Sequence, residues 1–203
     1  MGKINIDTSS LRQLKKRFEN RDFAIPEIQR QYVWNKQRVC KLMDSIFHHY
    51  PIGICLLWTA KYSQAIHIRP NRKTIIPPFN TRGANTADLI IDGQQRISTL
   101  YGVLFGVEEK PEANSWLNFN ELFFDCDKKS ERRFIFSKRL SDESDGYIRL
   151  TTLLNTTPSV LRRRLQLRKL EAKEAEKCYN VFHSYKFYLL SFEALTYDDV
   201  REI

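Results

Sequence analysis

The sequence predicts an α+β protein, and three observations carry that reading. Apolar runs of strand length, Ile54 to Ala60 and Leu89 to Ile91, are bounded by turn-forming and charged residues. Elsewhere apolar residues recur at helical spacing, most clearly Val39, Leu42, Met43, Ile46 and Phe47. A hydrophobic content of 42% over 203 residues suffices for a sizeable core, in one large domain or a domain with an appendage.

Ser9 or Ser10 caps a first helix carrying Leu11, Leu14 and Phe18, and Asn20-Arg21-Asp22 ends it. FAIPEIQRQYVW reads as extended, because Pro26 disfavours helical backbone just before it. Asn35 caps the helix of Val39 to Phe47, which stops at His49-Tyr50-Pro51 before the strand ICLLWTA. Residues 60–87 hold three prolines, one glycine and the cations Lys61, Arg69, Arg72, Lys73 and Arg82. They read as a long excursion with at most a small hairpin, and loops of that length often carry function.

After Leu89 to Ile91 comes a polar junction, then a helix with Ile97, Leu100, Tyr101, Leu104 and Phe105. LFFDCD and RFIFSK pair as a hairpin across a charged turn from Lys128 to Arg132. Thr157-Pro158 opens one long helix running to about His183. In it Arg162, Arg163, Arg164, Arg168 and Lys169 precede Glu171, Glu174 and Glu176, a pattern read as a solvated face with i,i+4 pairs in preference to a nucleic-acid stripe. YKFYLLSFEAL returns to strand, and YDDVREI resembles the start of a further helix, which suggests a piece of a larger protein.

A formal net charge of +9 suits a polyanion or an anionic ligand without establishing one. The four cysteines form no CxxC and no zinc-ligand spacing, so Cys40 and Cys55 read as small core residues and the compartment as a reducing cytoplasm. No secretory leader pattern and no membrane-spanning apolar run is present. The absence of GxxxxGK[ST] excludes a Walker-type NTPase, and no HExxH or serine-triad setting occurs.

Chemistry concentrates in the junction LIIDGQQRISTL. Asp92 ends the strand, Gly93 lets backbone approach a ligand, and Gln94 to Arg96 form a first helical turn whose N–H groups suit a phosphate. Arg96 could add a charge-assisted contact, and Asp92 could hold Mg²⁺ directly or through water. For this turn alone the plainer reading stands beside it: Asp92 as helix cap, Arg96 as its solvated ion-pair partner. IPEIQRQYVW supplies a second glutamine-arginine pair, Gln29 and Arg30, and if both pairs face one cleft the two arginines share an anion. Tyr32 and Trp34 read first as core anchors, and second as rings on which a base stacks.

IPEIQRQYVW, YPIGICLLW and LIIDGQQRISTL together resemble the successive signatures of the GmrSD-type restriction endonuclease N-terminal domain, over nearly the whole chain. The resemblance implies a fold similar to ParB and sulfiredoxin, a small mixed sheet flanked by helices, within a single regulatory domain over 1–203 followed by a nuclease domain or subunit. It implies binding and hydrolysis of a nucleoside triphosphate with Mg²⁺, regulating cleavage of modified phage DNA. The family motif falls on Asp92, Gly93, Gln94, Gln95 and Arg96, with Ser98 where many members have threonine, and the upstream motif on Gln29, Arg30, Tyr32 and Trp34. Asp92, Gln95 and Arg96 are the expected catalytic group, and Gln29, Arg30, Gly93, Gln94 and Ser98 the expected phosphate-binding group. Arg69, Arg72, Lys73 and Arg82 are candidate DNA contacts. Competing readings are a non-catalytic DNA-binding module and a phosphodiesterase in its own right.

Overall fold

Leu89, Ile90 and Ile91 form a buried strand, and the sheet around them frames the first of two units. The computed structural model describes residues 4–26, 29–61, 74–77, 86–109, 117–127, 129, 132–141 and 146–193. In chain order the first elements are β1 (Ile4–Ser9), α1 (Leu11–Asn20), β2 (Phe23–Ala24), α2 (Lys36–Phe47), β3 (Ile54–Lys61), β4 (Thr86–Asp92) and α3 (Gln94–Phe105). Then follow β5 (Glu108–Glu109), β6 (Leu117–Asn118), a 3-10 turn (Phe119–Glu121), β7 (Leu122–Asp125), β8 (Phe134–Phe136) and β9 (Tyr147–Arg149). Helices α4 (Leu150–Asn155), α5 (Pro158–Arg164) and α6 (Lys169–Ser184) lead to β10 (Phe187–Phe192). The α+β class stands, and among the described residues no helix is long and apolar enough to cross a membrane.

The first unit comprises Met1–Tyr32, Gly53–Tyr101 and Lys186–Ile203. Its mixed sheet has the order β1-β10-β3-β4-β2. Alternation along the strands sends Trp58, Ala60, Leu89, Ile91 and Phe192 to one apolar cluster with Ala24 and Ala87. Helix α1 buries Leu11, Leu14 and Phe18; Ser10 caps it reciprocally with Gln13, and Arg21 ends it in the left-handed conformation. Arg17 pairs with Asp88 and lies 4.0 Å from the centre of the Phe23 ring. The edge strand β1, with Ile4 and Ile6 exposed, was not anticipated by the sequence reading.

The second unit comprises Val33–Ile52 and Gly102–Tyr185. The expected pairing of LFFD with FIF is present, and β9 flanks β7 on its other side. Phe47, Phe124, Phe134 and Phe182 build an aromatic core. Within it Arg133 meets Glu174 at 3.0 Å and donates through Nε to the Asp125 carbonyl at 2.9 Å.

The single long helix expected from Thr157 to His183 is in fact two. Helix α5 stops at Arg164, Gln166 turns with φ of +49°, and α6 restarts behind Arg168, whose backbone N–H is accepted by Glu171. The solvated face with i,i+4 pairs is corrected in part: Arg162, Arg163, Arg164, Arg168, Lys169 and Glu176 are exposed, but Glu171 and Glu174 are 9% and 8% exposed and pair with Arg168, at i,i+3, and with Arg133. Burial of those carboxylates requires a cationic partner, and the two arginines provide it. Arg69, Arg72, Lys73, Arg82, most of the 60–87 excursion and YDDVREI lie outside the described residues.

Candidate functional site

The junction is a strand-to-helix turn at the expected residues, with β4 ending at Asp92 and α3 beginning at Gln94. Gly93 has φ of +84°, and a Cβ there would lie 2.7 Å from the Cys55 sulfur, so both backbone and space require glycine. The Gly93 carbonyl accepts the first helical bond, from Ile97 N–H at 3.0 Å. The N–H groups of Gln94, Gln95 and Arg96 therefore precede any carbonyl four residues back within the helix.

Arg96 Nη2 donates to the Ile54 carbonyl at 3.0 Å and to Asp92 Oδ2 at 3.2 Å. Its side chain is only 17% exposed, while that of Asp92 is 73% exposed. The guanidinium fits because residue 53 is glycine: a Cβ there would stand 2.6 Å from Nη1. Gly53 was missed in the sequence reading, although its place just before the buried strand in YPIGICLLW was a signal. Cys55 lies under this group, and burial pushes its thiol up to about 11, with Asp92 adding to the rise and Arg96 opposing it. It is a core thiol and no nucleophile at neutral pH, as the sequence suggested.

The upstream motif is fastened to the turn by side-chain amides. Gln29 Nε2 donates to the Ile91 carbonyl at 2.7 Å, Gln94 Nε2 to the Arg30 carbonyl at 2.8 Å, and Gln95 Nε2 to the Gln31 carbonyl at 3.0 Å. Tyr32 Oη lies 2.8 Å from Thr99 Oγ1, whose own proton goes to the Gln95 carbonyl at 2.7 Å, so the tyrosine donates. Gln94 and Gln95 are thus buried fasteners, and Tyr32, fully enclosed, is the anchor of its segment. Arg30 keeps its side chain exposed. Trp34 is half-buried and belongs to the second unit.

Ser98 is 1% exposed, and its Oγ has no hydrogen-bond partner among the described residues. An orphan hydroxyl one turn into α3 is an unspent donor. Among the described residues no group of three or more His, Cys, Asp or Glu is arranged to hold a metal. A hard cation at Asp92 would draw its remaining ligands from a bound phosphate and water, which is how Mg²⁺ commonly sits.

The chain is 29% identical over 115 residues to the uncharacterized protein MJ0686 of Methanocaldococcus jannaschii, a match covering 50% of this chain and 18% of that protein. The chain therefore corresponds to a small part of that relative's length. The family model described as GmrSD restriction endonuclease, N-terminal domain, matches residues 11–203, which takes in the turn, its upstream clasp and every described strand after β1. The chain belongs to the GmrSD restriction endonuclease N-terminal domain family.

Proposed function

We propose that the Asp92 to Arg96 turn binds the phosphates of a nucleoside triphosphate and supports its hydrolysis, as a regulatory step for a nuclease that cleaves modified DNA. The observation that carries the reading is the placement of Arg96. Its guanidinium is held against the Ile54 carbonyl and Asp92, beside a helix start that has no Cβ at Gly93. A fixed cation and oriented N–H groups stabilise phosphate charge with little reorganisation. Asp92, largely exposed, is the residue that would hold Mg²⁺, which when bound neutralises charge on the phosphate oxygens.

In hydrolysis a water oxygen bonds to the terminal phosphorus, the bond from that phosphorus to the bridging oxygen breaks, and the products are inorganic phosphate and a diphosphate. Asp92 is better placed than Gln95 to orient the water, since the Gln95 amide is buried and donates to Gln31. Exposed Arg30 and the orphan hydroxyl of Ser98 complete the phosphate-binding set. Calorimetry with the four common ribonucleoside triphosphates and Mg²⁺ tests the reading on the full-length protein. Binding of one or more, lost in Arg96→Ala, is expected; no binding of any would overturn it.

A further inference from the structure

Folding sorts most charges of the 158–184 segment: two of its three carboxylates go inward, Glu176 stays exposed, and its cations stay outside. Glu171 and Glu174 are buried against arginines, whereas Arg162, Arg163, Arg164, Lys169 and Lys173 are exposed. None of these five has a carboxylate partner among the described residues. Cations in the last turn of α5 suit the negative end of that helix, which is a sufficient local reason for Arg162 to Arg164. That reason fails for Lys169, the first residue of α6, where the helix dipole disfavours positive charge, and it does not extend to Lys173 one turn further in. Only the four residues Leu165 to Arg168 separate the two groups, so five exposed cations fall within the twelve residues from Arg162 to Lys173.

We infer that these exposed cations grip the phosphate backbone of a nucleic-acid duplex, with Arg162, Arg163, Arg164, Lys169 and Lys173 as the contacts. Unpartnered cations within one short segment match a repeating anionic backbone. A membrane surface fits less well. A helix lying on lipid needs a broad apolar face, and the exposed side of α6 offers Leu170 alone among Lys169, Lys173, Glu176, Lys177 and Asn180. No base-reading geometry is implied, so the grip positions the duplex without selecting sequence. The inference shares no residue with the nucleotide turn and stands or falls apart from it.

The test is fluorescence anisotropy of a short labelled DNA duplex with the whole chain, without nucleotide, over a salt titration. Changing all five residues to alanine should flatten the log–log salt dependence by about 4 to 5 units, at roughly 0.9 for each phosphate no longer neutralised. The single variants Lys169→Gln and Lys173→Gln should each flatten it by about one unit, which keeps the test informative if the fivefold variant does not fold. Replacing the three arginines by lysine should leave the slope in place. An unchanged slope in the alanine and glutamine variants would overturn the inference. So would flattening that appears only when Arg69, Arg72, Lys73 and Arg82 are removed, or binding of phosphatidylserine vesicles without binding of the duplex.

Discussion

The side-chain amide of Gln94 donates to the carbonyl of Arg30 at 2.8 Å, joining stretches 64 residues apart in sequence. Only the NH₂ end of a glutamine can satisfy a carbonyl oxygen, so the bond fixes the amide's orientation as well as its place. With the parallel bonds from Gln29 and Gln95, it explains why two glutamine-rich strings occur in one chain. Their glutamines hold the backbone, which leaves Asp92, Arg96 and Arg30 as the side chains for the proposed nucleotide to meet.

Gln95→Ala removes the donor that satisfies the Gln31 carbonyl at a largely buried position. The expected loss is about 1–3 kcal/mol in urea-induced unfolding, the usual cost of leaving a buried polar group unpaired. A midpoint equal to that of the parent protein would show that the clasp adds nothing to stability.

Gly93→Ala meets two obstacles, a positive φ and a sulfur 2.7 Å from the new methyl group. The backbone term alone should cost about 1–2 kcal/mol. Adding Cys55→Gly to Gly93→Ala should recover the steric part and leave the backbone part, a split that thermal melts of the two variants would resolve. Full recovery in the double variant would show that φ at this position is unconstrained.

Stability should fall in alkaline solution because of the buried thiols. Burial raises Cys55 from its ordinary 9.0 to about 11 and Cys126 to about 12. The unfolded chain then releases these protons at lower pH than the folded one, so stability is full below about 9 and declines between about 9 and 11 for Cys55. Denaturant titrations across this range should show the decline, and Cys55→Ala should lessen it. A decline of the same size in that variant would assign it to other groups.

Glu174→Ala strands the Arg133 guanidinium in an aromatic environment, 4.7 Å from the centre of the Phe124 ring. Breaking such a pair from one side should cost about 3–5 kcal/mol. Arg133→Met with Glu174→Leu should restore much of that loss, because no buried charge remains. If the double variant is as unstable as the single one, the pair contributes through shape and not through compensation of charge.

The turn was legible in sequence because every signal for it is local: an apolar run, Asp-Gly, then helical spacing. Helix α1 and its Ser10 cap, α2 with Asn35, and the pairing of β7 with β8 were legible for the same reason. Strand β1 was missed because its partner is β10, and nothing near Ile4–Ser9 announces that pairing. The break between α5 and α6 carries neither glycine nor proline; it depends on Arg168 closing on Glu171 and on Arg133 taking Glu174 from elsewhere in the fold. Within the site, the amide bonds of Gln29, Gln94 and Gln95 were not legible, for a related reason. Their carbonyl partners lie in another segment, and the sequence names donors without naming what they reach.

The place of β10 between β1 and β3 has a consequence for biosynthesis. Strand β1 is made well before its pairing partner, Phe187–Phe192, whose start lies 183 residues after Ile4 (187 minus 4). Until then β1 has no sheet to join, and β3 presents an open edge that another chain can extend. The second unit is complete at Tyr185, so it can form on the ribosome before the first unit has its full sheet. In pulse-labelled hydrogen exchange, β1 amides should gain protection together with those of β10 and after the β7–β8 pair. Ribosome stalling before Phe187 would therefore leave a nascent chain whose second unit is folded and whose strand β1 still waits for its partner.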